Sequence, residues 1–294
     1  MATVFSNIER FFKQKSVLST LLIINLLVFL LIKVVGVFFL LFKISPVPLI
    51  AFFELPASLT QLAYRPWTLI SYMFTHLGFW HIVFNLLWLY WFGQIFLRFF
   101  GPKQLGGLYV LGGIVGGLLF VLSYNLFPYF RDSIDHSYLI GASASVMAIV
   151  FATAFYKKDY EISLLFLGNI KLIYIAGFFF ILDLVSIESD NPGGHIAHIG
   201  GALMGIWFAN AFLKGKDLTS GINFVLDKIA NLFTKRERKP SFTKIYGRPE
   251  TDQEYNKRKS EQNNEIDRIL DKIKRSGYNS LSENEKKTLF NASK

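Results

Sequence analysis

The chain has 294 residues, 52% of them hydrophobic, and a formal net charge of +10; its mean hydropathy is +0.37. Charged residues make up 18%, against about a quarter in soluble domains. They crowd the region after residue 213, which describes a membrane body with a polar tail and argues against nucleic acid as the partner of the basic excess. With no cysteine in the chain, disulfide frameworks and thiol chemistry are excluded.

In chain order, residues 1–16 come first. Val4, Phe5, Ile8, Phe11 and Phe12 share a helical face beside Arg10, Lys13 and Lys15, as in an amphipathic segment lying on cytoplasmic membrane lipid. A membrane helix needs roughly 20 mostly apolar residues, and the domain 17–213 holds six such stretches: Val17–Phe42, His81–Phe100, Gln104–Phe127, the shorter Gly141–Tyr156, Ile162–Val185 and His195–Leu213. The first runs too long for a signal peptide and lacks a small-residue cleavage site, so it reads as a retained helix. The connector Lys43–Trp80 is aromatic and contains Pro46, Pro48, Pro56 and Pro66; it is expected to pack into the outer membrane surface. The fold class implied is an all-α, polytopic, six-transmembrane-helix bundle.

Residues 214–263 read as an interfacial helix and a basic linker. Ile222, Val225, Leu226, Ile229 and Phe233 form its apolar face, and the run Lys235-Arg236-Glu237-Arg238-Lys239 follows. Residues 264–294 read as a C-terminal helical hairpin. Ile266, Ile269, Leu270 and Ile273 make one stripe, Ser276-Gly277 stops that helix, and Ser280-x-x-Glu283 or Ser282-x-x-Glu285 caps the next. Such a tail is expected to serve an unidentified cytoplasmic partner or stability, not chemistry.

The connectors set the orientation. Lys and Arg flank the start of the first stretch (Arg10, Lys13, Lys15), the second-to-third link (Arg98, Lys103), the fourth-to-fifth link (Lys157, Lys158) and the end of the sixth (Lys214, Lys216). The positive-inside bias places both termini in the cytoplasm, in a bacterial inner membrane. The second, fourth and sixth stretches then all descend from the outer face, and their first residues share the outer leaflet.

Polar groups inside a bilayer are costly and functionally suspect. The second stretch opens with His81 and, four residues or about 6 Å deeper, Asn85. The fourth opens Gly141-Ala142-Ser143-Ala144-Ser145, and the sixth His195-Ile196-Ala197-His198. A serine hydroxyl needs a base to become a nucleophile, and histidine is the usual one. An oxyanion needs aimed donors, which Asn85, His81 and the Ser143 backbone N–H supply. Gly201 and Gly205, extended upward by Ala197, form a small-residue face that lets the sixth helix approach a neighbour closely. With no acidic residue at matching depth in the second, fourth or sixth stretch, and Asp183 lying outside any motif, a Ser143–His198 dyad is the economical reading, with no cofactor and no metal. Other readings stay open: the serines as mere packing residues, His195-x-x-His198 as a metal pair in a metal-binding protein or transporter, with Asn169 and Lys171 the few polar groups deeper in, or a binding protein without catalysis.

These residues also resemble the rhomboid family of intramembrane serine proteases over about residues 60–213. The likeness rests on Ser71-Tyr72-Met73-Phe74-Thr75-His76, His81-x-x-x-Asn85, Gly141-x-Ser143 and Ala197-His198-x-Gly200-Gly201-x-x-x-Gly205. It implies Ser143 as nucleophile, His198 as base, His81 and Asn85 as oxyanion donors, and cleavage of single-span membrane proteins near the outer surface. Two positions depart from the family pattern. Ala144 stands where glycine often follows the nucleophile, favouring a pseudoprotease that binds membrane helices without cleaving them. Trp67 precedes Thr68 where the family often has Trp-Arg, which implies altered loop anchoring. The tail resembles C-terminal extensions on some bacterial rhomboid-like proteins.

Overall fold

The computed structural model describes residues 16–164, 168–188, 191–233 and 252–292. Apart from Ser16, the expected amphipathic segment 1–16 lies outside them, as does the run Lys235–Lys239. The chain divides into two units, Met1–Lys235 and Arg236–Lys294.

In the first unit, helix α1 (Val17–Leu41) starts at Ser16, whose hydroxyl accepts from the Ser19 N–H. The connector that follows is structured: α2 (Val47–Phe53), strand β1 (Leu55–Pro56), α3 (Leu59–Tyr64) and α4 (Thr68–Ser71) lead to α5 (Phe79–Phe96). Next come α6 (Pro102–Leu126), strand β2 (Tyr138–Leu139) and α7 (Ser143–Tyr156). A hairpin of β3 (Glu161–Leu164) and β4 (Gly168–Lys171), then α8 (Leu172–Val185), α9 (Pro192–Leu213) and α10 (Ser220–Phe233), complete it. Among the described residues α1, α6 and α9 are long and apolar enough to cross a membrane.

Helix α7 lies at the centre, against α5, α6, α8 and α9. Every residue from Ala144 to Ala154 is buried, as expected of a helix that is apolar all round. Its neighbours come close because glycines face it. A Cβ on Gly201 would lie 2.0 Å from the Ala144 carbonyl oxygen, and one on Gly205 2.3 Å from that of Ala148. On the α6 side, a Cβ on Gly112 would strike the Ala148 methyl and one on Gly116 the Ala144 methyl. The glycines of the third stretch and those of the sixth thus hold α7 from two sides.

Two expectations are corrected. The fifth stretch is not one helix from Ile162 to Val185: its first part forms the β3–β4 hairpin, in register Ile162 to Ile170. Gly168, at φ +73°, takes a left-handed conformation that suits glycine. Asn169 and Lys171 lie on this hairpin, where Lys171 pairs with Asp159 at 2.6 Å, so they do not line a path through the helices. The linker is also shorter than expected. Helix α11 runs Asp252–Ser276, so residues 252–263 are helical rather than tether.

In the second unit, α11 ends where the Gly277 N–H bonds the Ile273 carbonyl with Gly277 at φ +76°. Helix α12 (Glu283–Ala292) begins with a capping box. The Ser282 N–H donates to Glu285 Oε2 at 2.8 Å, and the Glu285 N–H to Ser282 Oγ at 3.3 Å. Lys272 joins the helices by donating to the same carboxylate at 2.9 Å. Among the described residues of this unit, Ile269 and Leu281 are the buried apolar ones.

Two outcomes follow. Gly201→Ala drives a methyl into the Ala144 carbonyl and should cost about 1–3 kcal/mol, the usual range for overpacking. Gly177→Ala, with nothing within 4 Å, should be neutral or better. Thermal unfolding in detergent checks the pair, and equal losses would sink this account. The second concerns Glu285. The Ser282 N–H and then Lys272 pull its carboxyl down from 4.5 to about 2. A depressed folded-state pKa gives stability that is complete above 4.5 and lost as pH falls through about 2. Amide protection factors across α12 should decline over that window in the full chain, and Glu285→Gln should remove the dependence.

Candidate active site

The turn before α7 is held by the connector. Strands β1 and β2 pair antiparallel, Leu55 opposite Leu139. The Ala57 N–H donates to the Ser137 carbonyl, and Asn125 Nδ2 to that of Ala57. The Gly141 N–H donates to the Tyr72 carbonyl at 2.9 Å, with Gly141 at φ +113°, where a side chain would be strained. Fully buried His76 accepts from the Ala142 N–H through Nε2 at 3.4 Å. The connector is itself clamped onto α2: Arg65 Nη1 donates to the Ala51 carbonyl, Trp67 Nε1 to that of Phe52 and Ser71 Oγ to that of Phe53. Thr68, at the departing position, is buried and donates to the Arg65 carbonyl at 2.6 Å.

Beside this turn is a cavity of about 260 Å³. Ser143, Asn85, His198, His195 and Asp183 give it polar groups, and Trp88, Met147 and Phe179 are among its apolar walls. Helices α5, α7 and α9 therefore bring Asn85, Ser143 and His198 to one space. Ser143 is the first residue of α7, where backbone N–H groups lack partners within the helix. Asn85 is buried and gives one amide N–H to the His81 carbonyl at 2.9 Å, which leaves its second. His81 is not among the lining residues. Its ring meets that of His76 at 5.0 Å, and its Nε2 lies 2.7 Å from where a Cβ on Gly141 would stand. Ser145 points the other way, fully buried and with Oγ 4.0 Å from Met73 Sδ.

Ala144 does not line the cavity, and its methyl faces Gly116. Along α7 the lining residues are Ser143, Val146 and Met147, one helical face. The departure from glycine is therefore absorbed by the α6 contact.

The acidic group that the sequence reading left out of the site is present. Asp183, near the end of α8, is buried, and its Oδ1 lies 2.8 Å from both His195 Nδ1 and His198 Nδ1. A carboxylate only accepts, so each Nδ1 carries the proton, and the lone pair of His198 is left on Nε2. The available signal was an aspartate in an otherwise apolar stretch, near the end closest in sequence to the two histidines. Its partners were hidden because they lie on a separate helix, α9.

A family model for the rhomboid domain matches residues 63–215, and one for a family of unknown function (DUF6576) matches 250–294. Rhomboid-like protein 12, mitochondrial, of Arabidopsis thaliana is 32% identical over 146 residues, 46% of this chain. The match spans only 43% of that plant protein. Rhomboid protease GlpG of Haemophilus influenzae is 32% identical over 155 residues, 52% of this chain and 73% of GlpG. Rhomboid-like protein 16, chloroplastic, of Arabidopsis is 41% identical over 59 residues, 20% of this chain and 18% of its own length. The rhomboid model covers more than half of the sequence and all of the residues around the cavity, and the chain belongs to the rhomboid family of integral membrane proteins.

Proposed function

We propose that the protein is an intramembrane serine protease that cleaves transmembrane substrates near the outer membrane face. The observation that carries this is the shared cavity of Ser143, Asn85 and His198, with Asp183 on the far nitrogen of the histidine. The name of the Haemophilus relative, a rhomboid protease, supports the same reading.

In this reading Ser143 Oγ attacks a peptide carbonyl as His198 Nε2 takes its proton. The oxyanion meets the free amide N–H of Asn85 and the backbone N–H of Ser143, with His81 as a second side-chain donor from the Gly141 side. His198 returns the proton to the departing amine, and water then hydrolyses the acyl-enzyme. Asp183 is a positioning residue: it fixes the tautomer and orients the ring. Gly141, Gly201 and Gly205 admit the close contacts that place these groups. No cofactor is invoked.

Membrane geometry favours the same site. Helix α7 has 14 residues and is about 21 Å long, against a hydrocarbon core of about 30 Å. With Tyr156 at the cytoplasmic interface, Ser143 sits below the outer surface, beside the polar groups of the cavity. The lysine and arginine bias puts both termini in the cytoplasm. Reporter fusions at Leu213 and Asp135 should then read opposite sides, and the same side from both would refute the orientation.

A variant series tests the chemistry. Wild type should cleave a model transmembrane substrate and label with a fluorophosphonate. Ser143→Ala and His198→Ala should abolish both while remaining folded, and Ser145→Ala should keep most activity. Asn85→Ala should lower kcat by about 10²–10³ with little change in KM, and His81→Ala should be milder. Asp183→Asn should lower kcat by about 10²–10⁴ through the wrong tautomer, visible as a change in the His198 ring nitrogen signals by NMR. A folded wild type that neither labels nor cleaves would leave only helix binding.

A further inference from the structure

The relation between Asp183 and its two histidines exceeds what proton transfer needs. One histidine is enough for a base, and one carboxylate oxygen would serve it. Here His195 and His198, one helical turn apart on α9, aim Nδ1 at the same Oδ1 at 2.8 Å each. The three ligand-capable atoms all lie within 4.8 Å of one another. The histidine side chains are 23% and 21% exposed and the carboxylate 8%, and all three residues line the cavity. The cluster is therefore both gathered in one place and reachable.

We propose that Asp183, His195 and His198 form a site for a divalent transition-metal ion of the zinc type, and that its occupation switches the catalytic histidine off. Two imidazole nitrogens and one carboxylate oxygen suit zinc better than calcium or magnesium, which take oxygen ligands. Zinc bonds of about 2.0–2.2 Å set tetrahedral ligands roughly 3.3 Å apart, so the ring nitrogens move outward from the carboxylate oxygen by a few tenths of an ångström and close on each other from within 4.8 Å. Cavity water completes the shell.

The chemistry opposes catalysis. A metal needs the lone pair of Nδ1, which in the free protein carries the proton. On binding, the proton of His198 moves to Nε2, and the ring stays neutral. Nε2 then donates instead of accepting and cannot take the Ser143 proton. The hydrogen bonds from both histidines to Asp183 are replaced by metal bonds. The ion is an inhibitor of the hydrolysis, not its cofactor. The inhibitory part rests on the protease reading; the binding part does not.

The test uses the full chain in detergent with zinc chloride as the probe. Calorimetric titration should give one zinc per chain. His195→Asn keeps an amide N–H to give Asp183 but offers no ring nitrogen, so it should stay folded and bind at least about tenfold more weakly. Asp183→Asn should also weaken binding. In the cleavage assay, zinc should inhibit wild type reversibly and a chelator should restore activity. Measured against its own zinc-free rate, His195→Asn should resist zinc at least about tenfold better than wild type. Wild type that binds no zinc, or His195→Asn that binds it equally, would overturn the site. Zinc bound through these residues with cleavage unchanged would overturn the switch. A wild type that binds zinc but never cleaves would uphold the site and fail the protease reading instead.

Discussion

Everything at the candidate site depends on how closely α9 approaches α7. Between helices in lipid there is little hydrophobic driving force, so association rests on van der Waals contact and hydrogen bonds across short distances. Gly201 lies against the Ala144 carbonyl and Gly205 against that of Ala148. The two contacts have the same residue offset, so the helices descend side by side in register. His198 lies three residues before the first glycine, and Ser143 one residue before its partner. Both therefore come to the top of the same contact. A methyl on Gly201 would push α9, and His198 with it, away from α7 and Ser143.

The second constraint is that the top of α7 has no cap of its own. Ala142 gives no side-chain hydrogen bond at the N-cap. The connector supplies what the helix lacks: the Tyr72 carbonyl and His76 Nε2 take the Gly141 and Ala142 N–H groups. The segment before His76 is itself tied down, since the Tyr72 hydroxyl donates to the Gly113 carbonyl at 2.6 Å and the Met73 carbonyl accepts from Tyr109. Asn25 in α1 donates to the Tyr109 hydroxyl at 3.0 Å. A chain of buried polar contacts thus runs from the first membrane helix to the turn carrying Ser143. Such groups are expensive unless satisfied, so the network holds one geometry.

Much of this was legible in the sequence because membrane topology is a strong constraint. Once the charge bias orients the stretches, His81, Asn85, Ser143 and His198 must share a depth, and three of them do line one cavity. The glycine face of the sixth stretch was legible for the same reason. What failed was local. The stretch that begins at Ile162 is largely apolar, and periodicity alone does not separate a short apolar run in a strand from part of a helix. The start of α11 has no apolar stripe, since residues 252–263 are almost wholly polar, so its helix could not be seen from amphipathicity. Asp183 went unplaced because a carboxylate in an apolar stretch signals cost without naming its partner.

That cost explains the arrangement around Asp183. An isolated carboxylate at membrane depth is disfavoured, and it persists only with donors. Two histidine N–H groups on one oxygen provide them and consume the Nδ1 proton of each ring. His198, which shares the cavity with Ser143, then has Nε2 as its acceptor. The same three atoms that satisfy the buried charge also define which nitrogen is free for chemistry. The end of α8 and the start of α9 are therefore joined through one carboxylate oxygen. Anything that competes for that oxygen or for the paired ring nitrogens, whether a proton or a metal ion, acts on both at once.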